Sequence, residues 1–173
     1  MYILFANMVY GQKDTAISFI GIDSVPGATK AQLFERARTW FNESFKSSKS
    51  VFQIVDKDNG ELTGKGFVTS TVDYKLLGKT NVYKLDFAFM ISVFVKDGKF
   101  KYMLTNFDNV NSQLGYTFGI MTSANQTDIS VPMVSKKKVN ASYVDAKNSL
   151  TATITAAIAD FKTKMLQKEA SDF

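Results

Sequence analysis

The sequence predicts an α+β fold, a two-layer sandwich in the order β-α-β-β-β-β-α with both helices on one face of an antiparallel sheet. Three observations predict it. From Val82 to Val95 apolar residues recur at every second position, the period of a half-buried strand. Asp58-Asn59-Gly60 and Asp97-Gly98 each signal a hairpin, because a tight turn needs the positive φ that Gly and Asn tolerate. Two further segments carry apolar residues at helical spacing behind capping signals. A sheet with one apolar face and two amphipathic helices closes into two layers over one core.

The first strand is expected over 16–22, from its β-branched and aromatic content. Val25-Pro26-Gly27 is a turn. Thr29-x-x-Gln32 is a capping box, and Leu33, Phe34, Ala37, Trp40, Phe41 and Phe45 form the apolar stripe of the helix behind it. Lys30, Glu35, Arg36, Arg38 and Glu43 take its other faces, and the polar run Lys46 to Ser50 ends it. A strand from Val51 to Asp56 leads into the first hairpin, and its partner runs from Leu62 to about Val72. Gly64 and Gly66 share one face of that partner, where missing side chains would let a helix approach.

In the strand from Val82 to Val95, Tyr83, Leu85, Phe87, Phe89, Ile91, Val93 and Val95 share the apolar face. Lys84, Asp86, Ala88, Met90, Ser92 and Phe94 make a mixed opposite face. A two-residue turn at Asp97-Gly98 pairs Val95 with Phe100, which puts Phe100, Tyr102 and Leu104 on the apolar side. Residues 108–141 show no period, and Lys136-Lys137-Lys138 within them reads as a solvated loop. The last helix opens at Ser142-x-x-Asp145 and carries Leu150, Ile154, Ala157, Ile158, Phe161 and Met165, with Lys162, Lys164 and Lys168 suiting its C-terminal dipole.

Val25-Pro26-Gly27, Lys30, Leu33, Ala37-x-x-Trp40, Phe45-Lys46-Ser47, Asp56-Lys57-x-x-Gly60, Gly64-Lys65-Gly66 and the run Val95 to Lys99 stand in a recognisable order. Over residues 17–107, and more loosely over the final helix, the chain resembles the domain of unknown function 4468 family, exported Bacteroidetes proteins with a fold like the TATA-box-binding protein. The resemblance implies a curved antiparallel sheet with helices on one face, and secretion or periplasmic residence. It implies no activity, and no DNA binding, because a fold does not carry one function with it. Met1 to Met8 is apolar, and Val9 and Gly11 stand three and one positions before Gln12, as at a signal-peptidase site. Residues 1–11 fit either a signal-peptide remnant ahead of a single domain over 12–173 or an edge strand; the resemblance favours the remnant.

The composition narrows the chemistry. With no cysteine there is no disulfide, thiol nucleophile or cysteine-ligated metal, and with no histidine the usual general base and commonest metal ligand are missing. A net charge of +5 matters for nucleic acid only if it is concentrated, and here the basic residues are dispersed. Asp56, Asp58 and Glu61 start like a calcium loop, but Gly60 falls one position early and Phe67 stands where the bidentate Glu belongs. Tyr143-x-x-x-Lys147 has the spacing of the short-chain dehydrogenase pair, without a glycine-rich turn to hold a dinucleotide. Gly64-Lys65-Gly66 lies in a strand and is no phosphate loop. Asn42, Asn125 and Asn140 head glycosylation sequons that carry no meaning in a bacterial chain. No stretch is long and apolar enough to span a bilayer.

No catalytic, cofactor-binding or metal-ligating residue is therefore assigned, and the chain is expected not to be an enzyme. Candidate ligand or partner residues are Met90 and Phe94 on the mixed strand face, and Tyr116, Phe118, Met121 and Met133 in the irregular stretch. The second set fits either a cover over the sheet end or an adaptable apolar binding surface. The leading expectation is an exported binding module whose partner is a protein, a glycan or an envelope component, with no nucleic acid. The alternative is a carrier of small apolar ligands, with a cavity between the last helix and the sheet.

Overall fold

A computed structural model describes residues 15–44, 51–76 and 78–167. The proposed cleavage after Gly11, the run Phe45 to Ser50 and Lys168 lie outside them. The elements are β1 (Phe19–Ser24), α1 (Lys30–Ser44), β2 (Val51–Asp56), β3 (Glu61–Leu76), β4 (Lys79–Lys96), β5 (Lys99–Ser112), β6 (Gly119–Ile120) and α2 (Lys136–Leu166). All the strands join one antiparallel sheet in the order β1-β5-β4-β3-β2, with β6 also on β5. The expected order stands, with β6 added. The first strand sits two to three residues later than its composition suggests, and Ala16 makes an isolated bridge to Thr122.

The Asp97-Gly98 hairpin has the predicted register, Val95 opposite Phe100 and Lys96 opposite Lys99. From Leu85 to Val95 every second residue of β4 is buried, as are Phe100, Tyr102 and Leu104 of β5. Beyond Leu104 the parity breaks. Asn106 takes φ 57° in a bulge between the Met90–Thr105 and Ala88–Asp108 pairs, so Phe107 and Asn109 turn inward. A second bulge sets Val110 off the ladder. Bulges bend the bulged strand and increase its twist, and these two curve the sheet. Phe107 then stacks on Phe89 at 5.2 Å, and Asn109 fastens the sheet end by donating to the Asp86 and Asn111 carbonyls and accepting from Phe118 N.

Both helices cover the face of Leu85, Phe87 and Phe100. Leu150, Ile154, Phe161 and Met165 of α2 are buried there, and Phe161 meets Trp40, Phe100 and Tyr102 ring to ring. Trp40 is a core residue, its indole N–H donating to Asp160 at 2.7 Å.

Three expectations need correction. Lys136 to Lys138 are the first turn of α2, not a loop. The helix starts seven residues before Ser142, at N-cap Ser135, whose hydroxyl accepts from Lys138 N. Arg36 is not on a solvated face. It is 8% exposed and donates to the Met165 carbonyl at 2.9 Å, supplying a cation to the C-terminal end of α2. The space at Gly66 is taken by a ring and not by a helix side chain: Phe89 from the neighbouring strand lies 2.6 Å from where a Cβ would stand. Helix α2 meets the same strand further on, where Ser149 bonds Ser70. Gly21 under Tyr102 repeats the arrangement on β1.

The scattered motif residues converge at one corner. The predicted capping box forms reciprocally, Gln32 N to Thr29 Oγ1 and Thr29 N to Gln32 Oε1. Asp97 from the β4–β5 turn accepts from Lys30 N at 2.7 Å, while Lys30 Nζ reaches the Asp58 carbonyl in the β2–β3 turn. Val25 N donates to the Gly98 carbonyl and Gly98 N to the Ala28 carbonyl. Asp56 accepts from both nitrogens of Asn59, and these bonds hold its carboxyl below the ordinary range. Three turns are thus fastened around the start of α1.

Candidate functional site

Two surfaces have the shape and chemistry of a site. The first is the face of the sheet opposite the helices. Strand alternation places Ile20 and Ile22 of β1, Lys101 and Met103 of β5, Met90 and Phe94 of β4, and Lys65 and Phe67 of β3 on it, neighbours by register. Ile22 is 68% exposed, Ile20 56% and Phe94 36%, while Met90, Met103 and Phe67 are half-buried. Lys65 Nζ lies 5.4 Å from the Phe67 ring centre. Polar pairs cross the same face, Thr63 to Ser92 at 2.9 Å, and Thr69 and Asn111 both to the Asp86 carboxylate. Met90 and Phe94, expected here from the period of β4, are here.

The second surface is a groove of about 610 Å³ between β6 and the irregular stretch that follows it. Asn125, Gln126, Thr127 and Asp128 form one wall, and Phe118, Ile120 and Tyr143 lie opposite. Its shape is set by α2. Tyr143 and Lys147, one helical turn apart, both face the stretch. The Tyr143 hydroxyl accepts from Thr122 N at 2.8 Å, and Lys147 Nζ donates to the Ser123 and Ala124 carbonyls and to Asn125 Oδ1. Asn140 Oδ1 accepts from Thr127 N, and Lys136 Nζ donates to the Ile129 carbonyl. The Tyr143-x-x-x-Lys147 spacing has a reason, and it is a clamp on the backbone.

The structure separates the four residues expected in this stretch. Phe118 and Met121 are both buried in the core, and Phe118 also lines the groove. Met121 N donates to the Phe107 carbonyl and its own carbonyl accepts from Ile17 N, which holds its side chain inside. Tyr116 is half-buried beside a smaller cleft of about 190 Å³ shared with Tyr74, Tyr83 and Gln113. Its hydroxyl is enclosed without a well-formed hydrogen bond, and burial pushes its pKa up, opposed by the nearby Ser142 hydroxyl. Met133 is fully exposed at φ 64°, on a turn closed by Val134 N to the Val131 carbonyl.

Sequence reasoning missed Asn125, Gln126 and Asp128, which no periodicity marks. Among the described residues no group of three or more His, Cys, Asp or Glu side chains is placed to hold a metal ion. None of the described helices is long and apolar enough to cross a membrane.

Residues 22–109 match the family model "Domain of unknown function (DUF4468) with TBP-like fold". The fold is similar to the crystal structure of a TBP-like protein from Parabacteroides distasonis, with a TM-score of 0.61 and 15% identity over 89% of this chain and 95% of that one. It is also similar to a DUF4468 family protein from Bacteroides ovatus, with a TM-score of 0.58 and 13% identity over 91% of this chain and 90% of the other. No curated protein matches the sequence.

Proposed function

The chain belongs to the DUF4468 family, and from that premise we propose that it is an exported, non-catalytic interaction module that docks another protein on its open sheet face. One observation carries the reading: Ile20, Ile22 and Phe94 are exposed on the face of the sheet opposite the helices. Contiguous apolar surface rimmed by polar groups is the pattern of a contact site. By register Lys101 stands between Ile22 and Phe94, and Lys65 beside Met90, so the partner presents apolar groups with carboxylates set among them. Export rests on the family resemblance and on the apolar start of the chain. The carrier reading finds no support at the helix–sheet interface, where Leu150, Ile154 and Phe161 are buried side chains filling the space.

Photo-crosslinking from position 94 in envelope fractions tests the proposal, with exposed Thr163 on α2 as control position. A discrete protein adduct from position 94, absent from position 163 and weakened by Lys101→Glu, is the expected result. Adducts of equal yield from both positions, or none from position 94, overturn it.

A further inference from the structure

The groove beside β6 is a separate site with its own chemistry. We infer that it binds a neutral oligosaccharide. Its volume of about 610 Å³ falls within the roughly 300–1,000 Å³ usual for small-ligand sites. Asn125, Gln126 and Asp128 are exposed and line it. The Gln126 carboxamide, the Asn125 amide nitrogen and the Asp128 carboxylate together offer donors and acceptors, while Asn125 Oδ1 is held by Lys147. Facing them is Ile120, 47% exposed beside the buried rings of Phe118 and Tyr143. A sugar ring has the matching make-up, hydroxyls around its rim and apolar C–H faces.

The charges argue against the other ligand classes. Among the described residues no Lys or Arg lines the groove, and Lys147, which holds its wall, is engaged by three acceptors. An anion would meet the Asp128 carboxylate with no free cation to offset it. A hydrocarbon would strip water from Asn125, Gln126 and Asp128 without returning a hydrogen bond, a penalty steepest for the Asp128 carboxylate. A peptide added as a strand would find only the two residues of β6 to pair with, too short a ladder for strand addition.

The wall is also built before any ligand arrives. Residues 122–129 have no regular secondary structure, yet Tyr143, Lys147, Asn140 and Lys136 of α2 hold their backbone at successive points. Apart from Asn125 Oδ1, which accepts from Lys147 Nζ, these tethers on the stretch use its backbone groups, and Gln126 and Asp128 line the groove. A preformed wall lowers the ordering cost that otherwise limits weak polar ligands.

Amide NMR of the full chain, titrated with maltohexaose, cellohexaose, mannohexaose and xylohexaose, tests the inference. At least one should produce saturable shifts confined to amides of residues 118–129, with half-saturation below about 10 mM. The affinity should be unchanged between low and high salt, since no charge is paired. The double variant Asn125→Ala, Gln126→Ala should lose at least tenfold in affinity. Asp128→Asn should keep the neutral ligand and admit a uronic-acid oligomer that the native chain rejects. Absence of shifts with all four sugars, shifts centred on Met90 and Phe94, or full binding by the double variant each overturn it. None of these outcomes touches the open-face proposal, which concerns the other side of the sheet.

Discussion

Gly60→Ala should be far more damaging than Gly27→Ala, although both glycines have positive φ. Gly60 sits at φ 71° with Val95 N donating to its carbonyl, and an added Cβ would stand 2.5 Å from the Val95 carbonyl oxygen. Gly27 sits at φ 84° with nothing within 4 Å of its Cβ position. The left-handed conformation costs a non-glycine residue about 1–2 kcal/mol at either site. Reduced freedom of the unfolded chain returns about 0.4–1 kcal/mol in both. Only Gly60 adds the clash, against a backbone atom that its own hydrogen bond holds in place, and forced repacking costs about 1–3 kcal/mol more. Gly27→Ala should therefore cost about 1 kcal/mol and Gly60→Ala about 2–4 kcal/mol. For a chain of this length that corresponds to Tm losses of roughly 2–4 °C against roughly 4–16 °C. Urea unfolding followed by the fluorescence of the single tryptophan, Trp40, reads the difference directly. If the two variants lose equal stability, the close approach of the turn to β4 is not what requires glycine at position 60.

Three further outcomes follow from the packing and the charges. Phe89→Ala should cost about 3–5 kcal/mol in urea unfolding, and Gly66→Ala, harmful alone, should be less harmful beside Phe89→Leu; additive losses would refute the ring-over-glycine account. Arg36→Met should cost about 1–3 kcal/mol because the Met165 carbonyl loses its buried donor, and an unchanged urea midpoint would refute it. Asp56 is held below its ordinary pKa by Asn59, so its stabilisation is complete above about pH 4 and lost as pH falls through the lower folded value. Asp56→Ala should flatten the acid limb of the stability–pH curve, and an unaltered limb would count against the turn bonds.

How much was legible depended on whether two signals agreed. The β4–β5 hairpin was readable because the turn residues and the two-residue period independently gave the same register. The second half of β5 was not, since Asn106 inserts one residue and reverses the parity that the period rests on. The start of α2 was hidden by three lysines where the helix dipole favours acids. They persist because Lys136 finds the Ile129 carbonyl and Lys138 lies over the Tyr74 ring. Met90 and Phe94 could be placed from alternation alone, whereas Phe118 and Met121 needed β6, two residues long and below any pattern threshold. The groove was unreadable in principle. Its walls come from an aperiodic stretch and from α2, and the Tyr143–Lys147 spacing means nothing until residues 122–125 lie against it.

The corner around Lys30 also constrains the order in which the chain can fold. The first turn of α1 has its capping box in place as soon as residue 32 exists, but the Lys30 N–H waits for the Asp97 carboxylate, 67 positions later. Closing so long a loop costs entropy before the contact returns anything. A nascent chain stopped short of residue 97 therefore holds a helix start that is written but not yet fastened. Completing the N-terminal third depends on the middle of the chain having turned back on itself, which gives this small domain a non-local step that its short hairpins do not announce.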